Sequence, residues 1–141
     1  MSTLLGRSNV SFEMSKDALS KVTMDDNYMD WACFHAHQSL ELLLKHIIES
    51  NGMQSPKTHS IDDLLVYAKT SGFSYSDAEE LSNLSYEINK WETTSRYGKG
   101  IKTTVNKVQV VYKHIDKIRD EFLSSSGFDK KFSSVCGIMN K

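Results

Sequence analysis

The sequence has few residues that interrupt helices, few cysteines that could crosslink the chain, and no long apolar run that could hold it in a membrane. Its 141 residues include one proline, Pro56, and seven glycines, so long uninterrupted helices are permitted. Two cysteines, Cys33 and Cys136, lie far apart and fit neither a zinc site nor a disulfide framework. The first residues lack the apolar core of a signal peptide, and no apolar run reaches membrane-spanning length. We therefore expect a cytoplasmic protein with free thiols and no membrane association.

Motifs of several enzyme and metal-protein classes are also missing. His35 and His37 are two residues apart on a predicted helix, so their side chains point in different directions. The sequence has no Glu-x-x-His pair of di-iron bundles and no His-Glu-x-x-His zinc motif. Gly98 and Gly100 lack the spacing of a phosphate-binding loop. These absences predict no metal site and no cofactor.

The pattern that is present is helical periodicity along almost the whole chain. Apolar spacing and capping residues predict helices over about 11–22, from 23–26 to 50, 61–70, 76–94 and 103–123. Ser60 is the expected N-cap of the third helix, and Ser76 with Glu79 forms a capping box for the fourth. Short connections favour antiparallel neighbours, so the predicted fold is an all-α, up-and-down bundle of four to five helices. Residues 1–124 are the predicted domain, and 125–141 a tail that is either a short docking helix or disordered.

The long second helix carries two stripes of side chains. At 100° per residue, one side is a core face made of Ala36, Leu40, Leu43, Leu44 and Ile47. The nearly opposite side mixes polar and apolar groups, namely His35, Gln38, Glu41, Leu42 and Lys45, with Trp31 and Phe34 one turn earlier. A solvated face has no need of such residues, so this stripe is expected to be half-buried against another helix or another subunit.

Charge is distributed unevenly along the chain. Residues 1–95 carry 7 positive and 14 negative side chains, and residues 96–141 carry 10 positive and 4 negative ones, which gives −7 and +6. A basic C-terminal third is able to meet phosphates. The favoured alternative is that it faces the acidic helices of its own fold or the acidic surface of a second copy. No aromatic or glycine-rich nucleic-acid signature accompanies it.

The segment from Phe34 to Leu65, "FHAHQSLELLLKHIIESNGMQSPKTHSIDDLL", resembles the signature of HEPN domains. That family has a helix of the form aromatic-His-x-x-Gln-x-x-Glu-x-x-x-Lys, then a glycine and a Pro-x-x-His-Ser/Asp turn. The matching positions are Phe34, His35, Gln38, Glu41, Lys45, Gly52, Thr58, His59 and Leu64–Leu65. The family also tends to have an Arg-Tyr pair before its last helix, where this sequence has Arg96 and Tyr97. The resemblance covers roughly residues 12–124.

The resemblance implies a helical bundle that usually forms a homodimer. It also implies a prokaryotic protein that pairs with a small nucleotidyltransferase, often in a toxin–antitoxin system. Active ribonucleases of the family have an arginine followed four to six residues later by a histidine. Here the next histidine after Arg96 is His114, so the motif is absent. We expect a protein that is not an enzyme of that kind.

Three functions remain open. The first is a non-catalytic, dimeric module that binds a nucleotide, RNA or a nucleotidyltransferase through a cleft lined by His35, Gln38, Glu41, Lys45, Arg96 and Tyr97. The second is a metal-independent ribonuclease with His35 or His59 as base beside Arg96. The third is a ligand-free helical scaffold, in which Gln38 and Glu41 only join helices. His59 and Trp91 are secondary candidates, which a loop contact and a core position would also explain.

Overall fold

The structure, a computed structural model, describes the backbone of residues 3–96 and 103–125 and the side chains of 3–93 and 103–125. These residues form five helices and no strand, which confirms the all-α prediction. The helices are α1 (Leu4–Leu19), α2 (Asn27–Ser50), α3 (Ile61–Ser71), α4 (Ala78–Arg96) and α5 (Val105–Ser125). None of them combines the length and apolarity needed to cross a lipid bilayer.

Helix α2 is the centre of the bundle, because it contacts each of the other four helices. Its predicted core face is confirmed: Ala36, Leu40, Leu43, Leu44 and Ile47 have no exposed surface. They pack with apolar side chains of all the other helices, among them Phe12, Leu64, Ile88 and Ile115. Burying each large aliphatic side chain contributes about 1.5–3 kcal/mol, so α2 supplies much of the stability of the domain.

Helix α1 begins at Leu4, so the prediction that it starts near residue 11 was wrong. Its N-cap is Thr3, whose hydroxyl accepts a hydrogen bond from the Gly6 amide at 2.9 Å. The buried face of α1 consists largely of serines, which an apolar pattern does not detect. Ser8 donates to the carbonyl of Ser39 at 2.7 Å, and Ser15 donates to the carbonyl of Ala32 at 2.6 Å. These pairs set α1 antiparallel to α2.

The predicted caps of α3 and α4 had different outcomes. Ser60 caps α3 by accepting from the Asp63 amide, and Gly72 ends this helix with φ of +119°. The capping box predicted at Ser76 and Glu79 does not form. Instead, the amide and hydroxyl of Ser76 both donate to the carboxylate of Glu121 on α5, and α4 begins at Ala78. A tertiary acceptor has replaced the local one.

Candidate ligand and partner site

Glu41 is the centre of a polar cluster on the mixed stripe of α2. Its side chain is only 9% exposed, yet it contacts three basic groups. Oε2 accepts from the Lys45 ammonium at 2.9 Å and lies 3.0 Å from Nδ1 of His59. Lys45 follows Glu41 by four residues, so both side chains project from the same row of the helix. The Lys45 ammonium and the hydrogen bond from His59 offset the cost of burying this carboxylate.

His59 reaches Glu41 because the segment after α2 turns back along the helix. Gly52 has φ of +91°, a conformation that favours glycine, and it lies at the start of this return. His59 comes directly before the N-cap of α3, and its imidazole is 64% exposed. One edge of the ring, Nδ1, therefore meets the buried carboxylate, while the rest of the ring faces solvent. The interpretation of His59 as only a loop contact omits this bond to Glu41.

His37 belongs to the same cluster, and the sequence reasoning did not place it there. It is fully buried, its Nε2 donates to the carbonyl of His59 at 2.8 Å, and its Nδ1 lies 3.7 Å from Oε1 of Glu41. Burial lowers the pKa of His37, and the nearby Glu41 opposes that shift. A signal for it was present, because residues 37, 41 and 45 are spaced at i, i+4 and i+8 on one helix.

Gln38 and His35 lie further along the stripe, towards α1. The side-chain oxygen of Gln38 accepts from the hydroxyl of Ser11 at 3.3 Å. The imidazole of His35 stacks on the indole of Trp31, with ring centroids 5.9 Å apart and 25° between the planes. Burial lowers the pKa of His35, although the side chain of Gln38 raises it. The stripe is thus half-buried within the monomer, with α1 covering one edge and the His59 segment the other.

Of the remaining predicted residues, Trp91 lies in the core, whereas the side chain of Arg96 and all of Tyr97 are outside the described residues. Trp91 is 2% exposed and packs in the hydrophobic core. Helix α4 extends to Arg96, which was predicted to lie in the following loop. The side chain of Arg96 and the whole of Tyr97 are outside the described residues, so their place beside the cluster stays a prediction. The predicted tail from residue 126 onward is also outside them.

The basic C-terminal third faces acidic side chains of its own fold, as far as the description extends. The Lys107 ammonium lies 3.0 Å from the carboxylate of Glu87, and that of Lys117 lies 2.5 Å from Asp77. Glu87 is in α4 and Asp77 directly precedes it, so these pairs join this part of the chain to α5 in antiparallel order. Asp77 also raises the pKa of Lys117. For these residues, the interpretation as an intramolecular contact explains the charge pattern without a phosphate ligand.

His114, the next histidine after Arg96, is buried in α5. It is 4% exposed, and its Nδ1 lies 2.6 Å from the hydroxyl of Tyr75. Burial lowers the pKa of its imidazole, while Glu80 and Asp77 oppose the shift. Tyr75 is itself 5% exposed. A solvent-borne substrate therefore has no direct access to the ring of His114 in this fold.

Among the described side chains, those of residues 3–93 and 103–125, no group of three or more metal-binding residues is assembled.

A model of the HEPN domain matches residues 7–125 of the chain. No curated protein and no solved structure matches it. The match spans most of the sequence and includes both the Glu41 cluster and the Arg96 region, so the chain belongs to the HEPN domain family.

Proposed function

We propose that this chain is a non-catalytic HEPN module of the prokaryotic cytoplasm that acts as a homodimer. Its ligand is a nucleotide or RNA, held at the cluster of His35, Gln38, Glu41 and Lys45, with Arg96 and Tyr97 completing the cleft. A nucleotidyltransferase partner, as in toxin–antitoxin pairs, engages the same cleft. Family membership supports the HEPN module, and the site residues support the ligand class.

The burial of His114 is the observation that carries the non-catalytic assignment. Cleavage of RNA without a metal needs a base that takes the proton of the 2′-hydroxyl and a cation that stabilises the charge on phosphorus. In such a reaction Arg96 would provide the cation. The histidine that follows it in sequence has its Nδ1 bonded to Tyr75 inside the bundle. The arrangement therefore favours binding over cleavage.

The Glu41 cluster supports an anionic ligand. Lys45 is 16% exposed, so its ammonium presents N–H groups at the surface beside a carboxylate that fixes its position, and the 64% exposed His59 lies next to it. Preorganised donors of this kind are suited to phosphate oxygens, because little side-chain freedom is lost on binding. The Glu41 carboxylate also reduces the net positive charge of the cluster, which disfavours nonspecific binding of anions.

The experiment is a titration of fluorescently labelled ATP and a labelled short RNA, followed by anisotropy. We expect Lys45→Met and Arg96→Ala each to weaken binding about tenfold, the typical loss for a charge-assisted hydrogen bond. The control is Lys113→Ala, an exposed lysine of α5, which should bind as the wild type does. Binding of neither probe, or binding unaffected by both cleft substitutions, would refute the proposal.

The partner assignment has its own test. A tagged chain should co-purify with a small nucleotidyltransferase encoded by an adjacent gene, and Arg96→Ala should reduce that recovery while Lys113→Ala does not. If such a neighbour is present but is recovered equally with every variant, the partner does not engage this cleft.

A ribonuclease is the second candidate, and the geometry of His59 is the observation that favours it. A carboxylate bonded to one ring nitrogen orients an imidazole, so that its other nitrogen is able to accept a proton. Nδ1 of His59 lies 3.0 Å from Glu41, and the ring is otherwise exposed. In this mechanism Nε2 of His59 takes the 2′-hydroxyl proton, the oxygen attacks phosphorus, and the 5′-oxygen leaves with a proton from solvent.

Cleavage assays separate the two candidates. The ribonuclease should cut generic RNA in the presence of a chelator, and both His59→Ala and Arg96→Ala should abolish the cutting. Lys113→Ala should cut as the wild type does. If no cleavage occurs, or if it survives either substitution, the enzyme candidate fails and the binding proposal is unaffected.

A further inference from the structure

Helices α1 and α2 share an exposed apolar surface, here called the α1/α2 face. Its centre is formed by Val10 and Met14 on α1 and by Trp31 on α2, which are 59%, 47% and 54% exposed. These three large side chains lie on the side of the α1/α2 pair where no other described helix packs. Single exposed apolar residues are ordinary, but a cluster on one face indicates a surface that a partner covers.

Two grooves of similar size lie along this face. The first, of about 410 Å³, is near the start of α1 and is lined by Thr3, Gly6, Arg7, Val10, Gln38 and Leu42. The second, of about 370 Å³, is near the end of α1 and is lined by Glu13, Met14, Asp17, Tyr28, Trp31 and His35. Each groove borders one of the exposed apolar residues of α1. The face therefore has an apolar ridge with a depression at either end.

The two grooves carry opposite charge. Arg7 is the only charged side chain among the described residues that line the first groove, and no described acidic group lies within 4 Å of it. Glu13 and Asp17 line the second groove. They pair with Lys16 at 3.3 Å and Lys21 at 3.2 Å. Exposed pairs of this kind contribute little and exchange readily for other partners.

We propose that the α1/α2 face is the interface with a second copy of this chain, related by a twofold axis through the Val10–Met14 ridge. A twofold contact requires a surface that complements itself. Rotation about this axis brings the Arg7 groove of one copy onto the Glu13 and Asp17 groove of the other, and the apolar ridges of the two copies meet between them. A surface of uniform charge would not satisfy that condition.

This inference rests on the homodimer of the proposed function and assigns the contact. It also explains the mixed stripe of α2, because His35 and Gln38 border the two grooves. Lys45 and Glu41 lie just beyond the first groove on the same helix. The proposed ligand cleft would therefore open at the edge of the subunit contact, where a second copy narrows it.

The first arm of the experiment measures mass by sedimentation equilibrium on the full chain across micromolar concentrations. The wild type should be a dimer. Val10→Glu combined with Met14→Glu should raise the dimer dissociation constant by about 30-fold or more, as loss of a central apolar contact does. The control is Val66→Glu, which charges an apolar side chain of α3 that is 64% exposed and outside this face. It should leave the dimer intact.

The second arm swaps the charges. Arg7→Glu should weaken the dimer, and so should Glu13→Arg combined with Asp17→Arg. The chain that carries all three substitutions should recover the dimer, because the same two grooves then meet with their charges exchanged. Circular dichroism melting of each variant checks that it folds. If the single variants lost the dimer because they misfolded, combining the substitutions would not recover it. Recovery of the dimer in the combined variant is therefore specific to the contact.

The outcomes separate this inference from the proposed function. A wild type that stays monomeric refutes both the interface and the dimer. The anisotropy titration then still tests whether the monomer binds the ligand. A dimer that survives both the ridge and the charge variants refutes this interface only. A combined charge variant that is no better than either parent also refutes it.

Discussion

Buried histidines should make this fold sensitive to mild acid. Burial lowers the pKa of His37 and of His114 in the folded chain. In the unfolded chain, each imidazole has its ordinary pKa of about 6.5. Below that pH the unfolded state binds protons that the folded state does not, so stability rises with pH. The loss therefore begins as pH falls through about 6.5, and it continues until the folded pKa values are reached.

The size of the effect follows from burial. A group that is protonated only in the unfolded state changes the free energy of unfolding by about 1.4 kcal/mol per pH unit. His37 is fully buried and His114 is 4% exposed, so burial disfavours the charged form of both rings in the folded chain. Together they give a limit of about 2.7 kcal/mol per pH unit, and the half-buried His35 and His46 add less. That is a large part of the roughly 5–15 kcal/mol that stabilises a domain.

The assay is urea denaturation followed by circular dichroism at about pH 7.5, 6.5 and 5.5, a range above the titration of ordinary carboxylates. His114→Gln keeps an acceptor for the Tyr75 hydroxyl and removes the titrating ring, so it should reduce the slope below pH 6.5 by up to about 1.4 kcal/mol per pH unit. Among the charges around this ring, Glu80 and Asp77 oppose its shift and Lys117 reinforces it.

A matched control is Lys113→Gln, which changes the exposed neighbour of His114 and should preserve the wild-type slope. Stability that does not change between about pH 7.5 and 5.5 would refute the reasoning that these rings are buried neutral. So would a His114→Gln protein with the same slope as the wild type.

Three further predictions concern stability and are measured by the same denaturation at neutral pH. Leu43→Ala should lower the free energy of unfolding by about 2–5 kcal/mol because the side chain is fully buried. Val66→Ala, on an exposed surface, should change it by less than about 0.5 kcal/mol. Equal effects of the two substitutions would contradict the assigned core. Gly72→Ala should cost about 1–3 kcal/mol, since alanine is strained at φ of +119°, and a neutral result would mean that the turn relaxes. Glu41→Ala should cost about 1–3 kcal/mol because it leaves the half-buried Lys45 without its carboxylate, and a stabilised variant would argue against the cluster.

Much of the fold was predictable because helical periodicity is a local property. Leu40, Leu43 and Ile47 repeat at the spacing of one helix face, and they form the core that the pattern predicted. The start of α1 was missed because Ser8 and Ser15 are buried through hydrogen bonds to α2 and not through apolar contact. The capping box at Ser76 failed because Glu121, 45 residues away in sequence, accepts the same donors.

The candidate site was predictable only in part. His35, Gln38, Glu41 and Lys45 follow from their spacing on one helix, which is a property of the sequence. That His59 bonds to Glu41 depends on the path of the chain between α2 and α3, which no local pattern specifies.

The sequence by itself determined the helical class, the core face of α2 and the order of the polar stripe, because each depends on residue spacing within one helix. Tertiary structure decided the rest. It brought His37 and His59 to one carboxylate, buried His114 against Tyr75, and set the acidic side of α4 against the lysines of α5. Those contacts join residues that are distant in sequence, and their geometry depends on how whole helices pack.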